Sequence, residues 1–204
     1  MSVLKDKTER WPVDSSRELY RDRLIAVRSE KVRMPGNTWA ERTVVDHPGA
    51  VAVLALDEAN RVLMIRQYRH PVGRMLWEIP AGLRDVPGEN LVITARRELL
   101  EEAGYRAGDW QVLADFFSSP GFSTERIRVF LARDLEAVPE EERTFVLKDE
   151  EAALTLAWVP LPEAVAAVLA GELHNSVAVM GILAVYAAST GGLSGLRPAD
   201  APEA

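Results

Sequence analysis

The chain has 204 residues, enough for one domain or for one domain with a small appendage. Apolar residues make up 48% and charged residues 27%, which is a globular composition and excludes a wholly disordered chain. The net charge of −7 argues against a nucleic-acid-binding protein, which needs a basic surface for phosphates. No cysteine is present, which excludes disulfides, thiolate metal sites and cysteine nucleophiles.

Neither end of the chain has the pattern of a targeting signal or a membrane span. The N-terminal sequence MSVLKDKTERWPVD is charged and lacks the apolar stretch of a signal peptide. The longest apolar run, residues 177–188, has twelve residues, whereas a membrane-spanning helix needs about 20. We therefore expect a soluble, cytoplasmic protein that works without a membrane or a nucleic-acid partner.

Strand patterns dominate the first half of the chain. Residues 1–16 are polar and predict a flexible arm, and residues 19–32 have the mixed pattern of a half-exposed strand or hairpin. After a turn signal at Met34-Pro-Gly-Asn, further strands are predicted over residues 40–45, 50–56 and 62–68. The strand over residues 50–56 is nearly all apolar, which indicates a central strand that is covered on both faces.

The second half mixes helices with strands. A helix is predicted over residues 91–103, with Gly104 as its stop signal. The other predicted elements are strands at 112–117, 127–132 and 154–159, an acidic connection at 134–151, and helices at 163–170 and 177–188. This order indicates an α/β fold in which helices sandwich a mixed sheet. We expect four segments: an arm (1–16), an N-terminal β region that dimerises (17–47), a main domain (48–190) and a disordered Gly/Pro-rich tail (191–204).

The predicted helix 91–103 carries a cluster of glutamates. Glu98, Glu101 and Glu102 fall within one arc of the helix, and Arg97 stands four residues before Glu101 and can pair with it. Like charges at this spacing repel by about 0.2–0.5 kcal/mol per pair, so the cluster is costly unless a cation bridges it. Carboxylate oxygens suit Mg²⁺ or Mn²⁺. The alternative interpretation is a solvated helix face held by salt bridges.

The whole ordered string distinguishes these two interpretations. Gly82, Glu89, then Arg97-Glu98-Leu-Leu-Glu101-Glu102-Ala-Gly104 resembles the Nudix box. Two departures occur: six residues rather than five separate Gly82 from Glu89, and Tyr105 stands where a smaller aliphatic residue is more common. The resemblance implies a Nudix-type α/β/α sandwich with a mixed sheet over residues 48–190, preceded by an antiparallel β extension.

The same resemblance implies roles for the residues of the box. Glu98 and Glu102 would be ligands of a divalent metal, Mg²⁺ or Mn²⁺, with Glu101 beside them and the Ala81 carbonyl completing the set. Arg97 would orient Glu101, and Glu89 would act on the metal less directly. Such a metal neutralises a diphosphate and activates a water molecule for attack on phosphorus.

The surrounding sequence also resembles bacterial ADP-ribose pyrophosphatases. Pro120 lies sixteen residues after Gly104, the position that marks this branch of the Nudix family. Arg69 would contact the diphosphate, because a guanidinium fork suits phosphate oxygens, although an exposed arginine at a strand end is the alternative. Arg28 and Arg42 lie in the N-terminal strands, which in this branch help to form the nucleotide pocket of a partner subunit.

The resemblance implies hydrolysis of ADP-ribose to AMP and ribose 5-phosphate by a homodimer with exchanged N-terminal strands. Its general base would be a glutamate in the acidic connection, and Glu150 matches this position best, with Glu151 as the alternative. Two other functions remain possible: hydrolysis of another nucleoside diphosphate derivative, such as a nucleotide sugar, a dinucleoside polyphosphate or NADH, and binding of ADP-ribose by a non-catalytic sensor.

Overall fold

The computed structural model describes residues 4–143 and 154–203. These residues form two compact units. Of the described residues, the first unit contains 4–48 and 119–125, and the second contains 49–118, 126–143 and 154–203. No described helix has the length and apolar character needed to cross a membrane.

The first unit is built around a three-stranded antiparallel sheet. It contains β1 (Val13–Arg21), β2 (Ala26–Arg33) and β3 (Trp39–Asp46) in that spatial order. The predicted hairpin is confirmed, and Asp22 shapes its turn by accepting hydrogen bonds from the backbone of Leu24 and Ile25, both at 2.8 Å.

The expected arm over residues 1–16 is too long, because β1 already begins at Val13, which pairs with Val32 of β2. All nine residues of β1 are exposed. The strand therefore has no buried face to give it an apolar pattern, and backbone pairing with β2 holds it.

The described part of the second unit contains two sheets. Its strands are β4 (Ala50–Ala55), β5 (Arg61–Arg69), β6 (Arg74–Glu78), β7 (Ala81–Leu83), β8 (Tyr105–Phe117), β9 (Arg126–Ala137), β10 (Thr155–Pro160) and β11 (Arg197–Pro198). A five-stranded mixed sheet has the order β11-β8-β9-β4-β7, in which β4 and β9 run parallel. The smaller sheet is antiparallel and has the strand order β10-β5-β6.

Three helices of the described chain cover the central strand β4 from both sides: α1 (Leu91–Ala103), α2 (Leu161–Leu169) and α3 (Ser176–Ser189). Val51 and Val53 of β4 lie in one buried cluster with Leu99 of α1. The alternate residue Leu54 lies in a second buried cluster with Ile182 of α3. The sheet is thus enclosed between helices, which confirms the predicted α/β/α sandwich and the burial of both faces of its central strand.

The predicted bounds of α1 are confirmed at both ends. Asn90 caps the N-terminus, where its side chain accepts a hydrogen bond from the backbone of Val92 at 3.1 Å. Gly104 ends the helix in the left-handed conformation with a φ of 70°, a region that glycine occupies readily.

The C-terminal tail differs from the prediction. Residues 191–204 were predicted to be disordered, but β11 pairs with β8, and the side chain of Arg128 donates to the carbonyl of Ala201 at 2.6 Å. A Gly/Pro-rich composition does not reveal such contacts, because the residues that the tail contacts lie far away in the sequence. The short strands β6 and β7 were also not predicted.

Candidate active site

Helix α1 directs two buried glutamates towards strand β7. Glu98 is 9% exposed and Glu102 is 6% exposed. The backbone N–H of Ala81 donates to Oε2 of Glu102 at 2.8 Å. Gly82 lies directly against Glu98, so that a Cβ atom at this position would overlap the glutamate side chain. Glycine is required here for close approach, since any side chain would push Glu98 away from the strand.

Within the described residues, the guanidinium of Arg97 lies among four carboxylates, one of which is Glu98. Arg97 Nη1 is 2.7 Å from Glu98 Oε1 and 3.4 Å from Glu101 Oε2. Its Nη2 is 3.8 Å from Asp85 Oδ1 and 4.0 Å from Glu89 Oε2. Burial lowers the pKa of Arg97, but the charges of these four carboxylates outweigh that effect, and the pKa lies above its ordinary value.

The pairing of Arg97 with Glu101 was predicted from their spacing, whereas Asp85 and Thr94 were not recognised. Thr94 donates its hydroxyl to Glu89 Oε2 at 2.6 Å, which fixes that carboxylate at the N-terminal end of α1. The predicted glutamates therefore do not form a solvated helix face. Glu98 and Glu102 are buried, and Glu98 and Glu101 share the guanidinium of Arg97.

The chemistry of this donor set fits a divalent metal ion. Glu98 and Glu102 supply oxygen donors from a site that is largely closed to solvent, and oxygen donors are what Mg²⁺ and Mn²⁺ prefer. The absence of a side chain at Gly82 lets Glu98 pack directly against β7. Within residues 4–143 and 154–203, no group of three His, Asp or Glu side chains is placed to hold a metal ion.

Arg69 lies at the end of β5 and is held by a buried carboxylate. Its Nε donates to Glu78 Oε1 at 2.9 Å, and its Nη2 donates to Glu78 Oε2 at 2.7 Å. Glu78 is only 2% exposed, whereas 45% of the Arg69 side chain remains accessible. Sequence reasoning missed Glu78, although a lone acidic residue between Trp77 and Ile79 is a signal of a buried partner.

The other two predicted arginines belong to the first unit. Arg28 pairs with Glu30 at 2.8 Å and with Asp46. Arg42 donates to the backbone carbonyl of Glu41 at 2.8 Å. The structure therefore does not group these arginines with Arg69 in one unit.

The last three predicted residues are Pro120, Glu150 and Glu151. Pro120 begins the short turn over residues 120–122 and belongs to the first unit. The candidate bases Glu150 and Glu151 lie outside the described residues.

Comparison with known proteins gives consistent matches along the chain. Residues 46–178 match the model of the NUDIX domain. The ADP-ribose pyrophosphatase of Mycobacterium tuberculosis is 48% identical over 186 residues, covering 91% of this chain and 87% of that protein. The ADP-ribose pyrophosphatase of Bacillus subtilis is 36% identical over 176 residues, covering 86% of this chain and 90% of that protein. A crystal structure of an ADP compounds hydrolase shares the fold with a TM-score of 0.75 at 20% identity, covering 92% of this chain and 98% of that one.

Proposed function

This chain belongs to the Nudix family, and we propose that it hydrolyses ADP-ribose to AMP and ribose 5-phosphate. The observation that carries the proposal is the pair of buried glutamates, Glu98 and Glu102, which α1 presents to Ala81 and Gly82. Relatives that are named for ADP-ribose, together with the position of Pro120, support this substrate.

Nudix hydrolases need divalent metal ions, and in this chain we assign the site to α1 and β7. Glu98 and Glu102 would hold the metal, with Glu101 and the Ala81 carbonyl as the remaining protein donors, and Mg²⁺ or Mn²⁺ would be the ion. When bound, such a metal neutralises the diphosphate and lowers the pKa of a water molecule. Arg97 would keep Glu101 and Glu98 in place through its contacts at 3.4 and 2.7 Å.

In the reaction, a water oxygen bonds to one phosphorus, and the bond from that phosphorus to the bridging oxygen breaks. A general base takes the proton of the water. A carboxylate that binds metal is a poor proton acceptor, so we assign the base to Glu150, with Glu151 as the alternative, rather than to a glutamate of α1.

Arg69 would bind the diphosphate. The two hydrogen bonds that Arg69 donates to Glu78 fix the plane of the guanidinium, and this reduces the conformational entropy that binding would otherwise cost. A positioned guanidinium suits the geometry of phosphate oxygens. The buried Glu78 would then act through Arg69, without touching the substrate itself.

We also propose a homodimer in which the N-terminal strands are exchanged, with Arg28 and Arg42 contributing to the nucleotide pocket of the partner subunit. The support is the exposure of all nine residues of β1, which include Leu19 and Tyr20 at 49% and 54%. Sedimentation at micromolar concentration should give a dimer, and removal of residues 1–40 should abolish both dimerisation and substrate affinity. A fully active monomer would contradict this proposal.

The proposal describes a cytoplasmic enzyme that acts on a small molecule, without nucleic-acid or membrane partners. Its central test is product analysis on ADP-ribose beside nucleotide sugars, dinucleoside polyphosphates and NADH, with Mg²⁺ and with Mn²⁺. We expect AMP and ribose 5-phosphate from ADP-ribose at the highest kcat/KM of the panel. A higher kcat/KM on another diphosphate would move the proposal to that substrate, and binding of ADP-ribose without products would indicate a sensor.

A further inference from the structure

The C-terminal segment 197–203 is fixed to the second unit over most of its length. Arg197 and Pro198 pair with Val112 and Gln111 of β8. Ala201 accepts a hydrogen bond from Arg128, whose side chain is only 3% exposed. Ala199 and Ala201 also pack against the buried cluster that contains residues of α1.

Asp115 strengthens this attachment by joining two arginines. It accepts hydrogen bonds from Arg128 Nε at 2.7 Å and Nη2 at 2.9 Å, and a third from Arg197 Nη1 at 2.8 Å. Burial raises the pKa of Asp115, but the hydrogen bonds from Arg128 and Arg197 outweigh this, and the pKa lies below its ordinary value. Charged hydrogen bonds of this kind hold the segment in one position.

The segment ends in a second ion pair, and the arginine of this pair directly follows strand β7 of the candidate metal site. Glu203 accepts from Nη1 and Nη2 of Arg84, both at 3.1 Å, and lies 3.5 Å from Arg126 Nε. Arg84 directly follows β7, and its backbone N–H donates to the carbonyl of Gly49 at 3.1 Å. Glu203 therefore joins the end of β7 to the beginning of β9.

Strand β7 needs such a support, because it has only three residues and lies at the edge of the five-stranded sheet, where β4 is its one partner strand within the described chain. Ala81 and Gly82, which contact Glu102 and Glu98, are two of those three residues. A shift of the strand would change both contacts. Local opening is easiest where a segment makes few contacts.

We propose that Glu203 is a positioning residue for the metal site: through Arg84 it holds β7 so that Ala81 and Gly82 keep Glu98 and Glu102 in metal-binding positions. This inference rests on the proposed metal-dependent function. It assigns no chemical step to Glu203, which acts only through Arg84 and the backbone of β7.

The test measures Mn²⁺ binding to the intact protein by calorimetry, without substrate. Loss of a partner that orients metal ligands weakens metal binding by about 10–100-fold, and Glu203 acts one step further away, so we expect Glu203→Gln to raise the Kd for Mn²⁺ by about 3–10-fold. Arg84→Met should have the same effect, and Arg84→Lys should recover part of the affinity. The double variant should be no weaker than the weaker single variant, because both residues act through one contact.

The control is Glu172→Gln, which removes an exposed carboxylate from a different loop and should leave the Kd unchanged. At saturating Mg²⁺, Glu203→Gln should hydrolyse ADP-ribose with kcat within about twofold of the unsubstituted protein, while the half-saturating Mg²⁺ concentration rises with the Kd. An unchanged Kd for Mn²⁺ would overturn the inference, even if Glu203→Gln lowered the melting temperature. If the unsubstituted protein binds Mn²⁺ but does not cleave ADP-ribose, the proposed function fails while the effect of Glu203 on the Kd is still measured.

Discussion

Replacing Gly82 by alanine tests whether Glu98 must lie directly against strand β7. A Cβ atom at residue 82 would be 2.5 Å from Glu98 Cγ, and ordinary van der Waals contact begins near 3.4 Å. The glutamate side chain must therefore retreat by at least 0.9 Å, the difference between these two distances. A misplacement of about 1 Å in a catalytic arrangement can cost about 100-fold in rate, which is about 2.7 kcal/mol of transition-state stabilisation.

The structure indicates that this loss of rate occurs without unfolding of the protein. The overlapping atoms belong to the end of a flexible side chain, which can rotate away, so we expect a stability loss at or below about 1 kcal/mol, the low end for overpacking. Hydrolysis of ADP-ribose should be followed as phosphate released from both products, AMP and ribose 5-phosphate, by an added phosphatase, at limiting and at saturating Mg²⁺. We expect kcat/KM to fall by about 100-fold at limiting Mg²⁺.

Gly191→Ala is the matched control. A Cβ atom there would meet its nearest neighbour at 3.6 Å, which is ordinary contact, so activity and stability should stay unchanged. If Gly82→Ala kept kcat/KM within about threefold of the unsubstituted protein, a change of under 1 kcal/mol, the reasoning that Glu98 needs this close approach would be wrong.

Three further predictions follow from the charged groups. Glu98→Gln and Glu102→Gln should each nearly abolish turnover, because each removes an anionic metal ligand. The metal-free melting temperature should be unchanged or slightly higher, because each substitution also removes some like-charge repulsion. Near-normal turnover at saturating Mg²⁺ would refute their role as ligands. Asp115 has a lowered pKa in the folded state, so its stabilising effect is complete above its unfolded-state pKa and is lost as the pH falls through the folded-state value. Asp115→Asn should therefore cost roughly 3 kcal/mol at pH 7, because Arg128 is left buried without its carboxylate, and urea unfolding should show the difference shrinking below about pH 4. Glu150→Gln should lower kcat by about 10²–10⁴ with little change in KM, and a change of only a few-fold would exclude it as the base.

Local signals account for the parts of the fold that were predicted correctly. The length of α1 could be predicted because apolar residues recur at helical spacing and Gly104 is a stop signal. Strand β4 was recognisable because both of its faces are buried, which leaves an almost uninterrupted apolar run. In each case the deciding residues lie close together in the chain, so the pattern is visible in the sequence.

The missed features depend on partners that are distant in the sequence. Arg84 and Glu203 are 119 residues apart, and Arg128 and Ala201 are 73 apart, so no local pattern links the tail to the sheet. The composition of the tail alone favours disorder. Strand β7 has only three residues, too few for alternation to appear, and it exists because β4 offers it a backbone partner.

The candidate site depends both on local sequence patterns and on contacts between residues that are distant in the sequence. Its helical half is local: Arg97 and Glu101 are four residues apart, and four carboxylates approach the Arg97 guanidinium within 4.0 Å. Because those charges raise the pKa of Arg97 despite its burial, the guanidinium stays positive and offsets part of the repulsion between the glutamates. Its strand half is not local, since the positions of Ala81 and Gly82 depend on β4 and on the ion pair of Arg84. A sequence can therefore reveal which carboxylates are gathered on α1, whereas the position they take against β7 depends on the fold of the whole second unit.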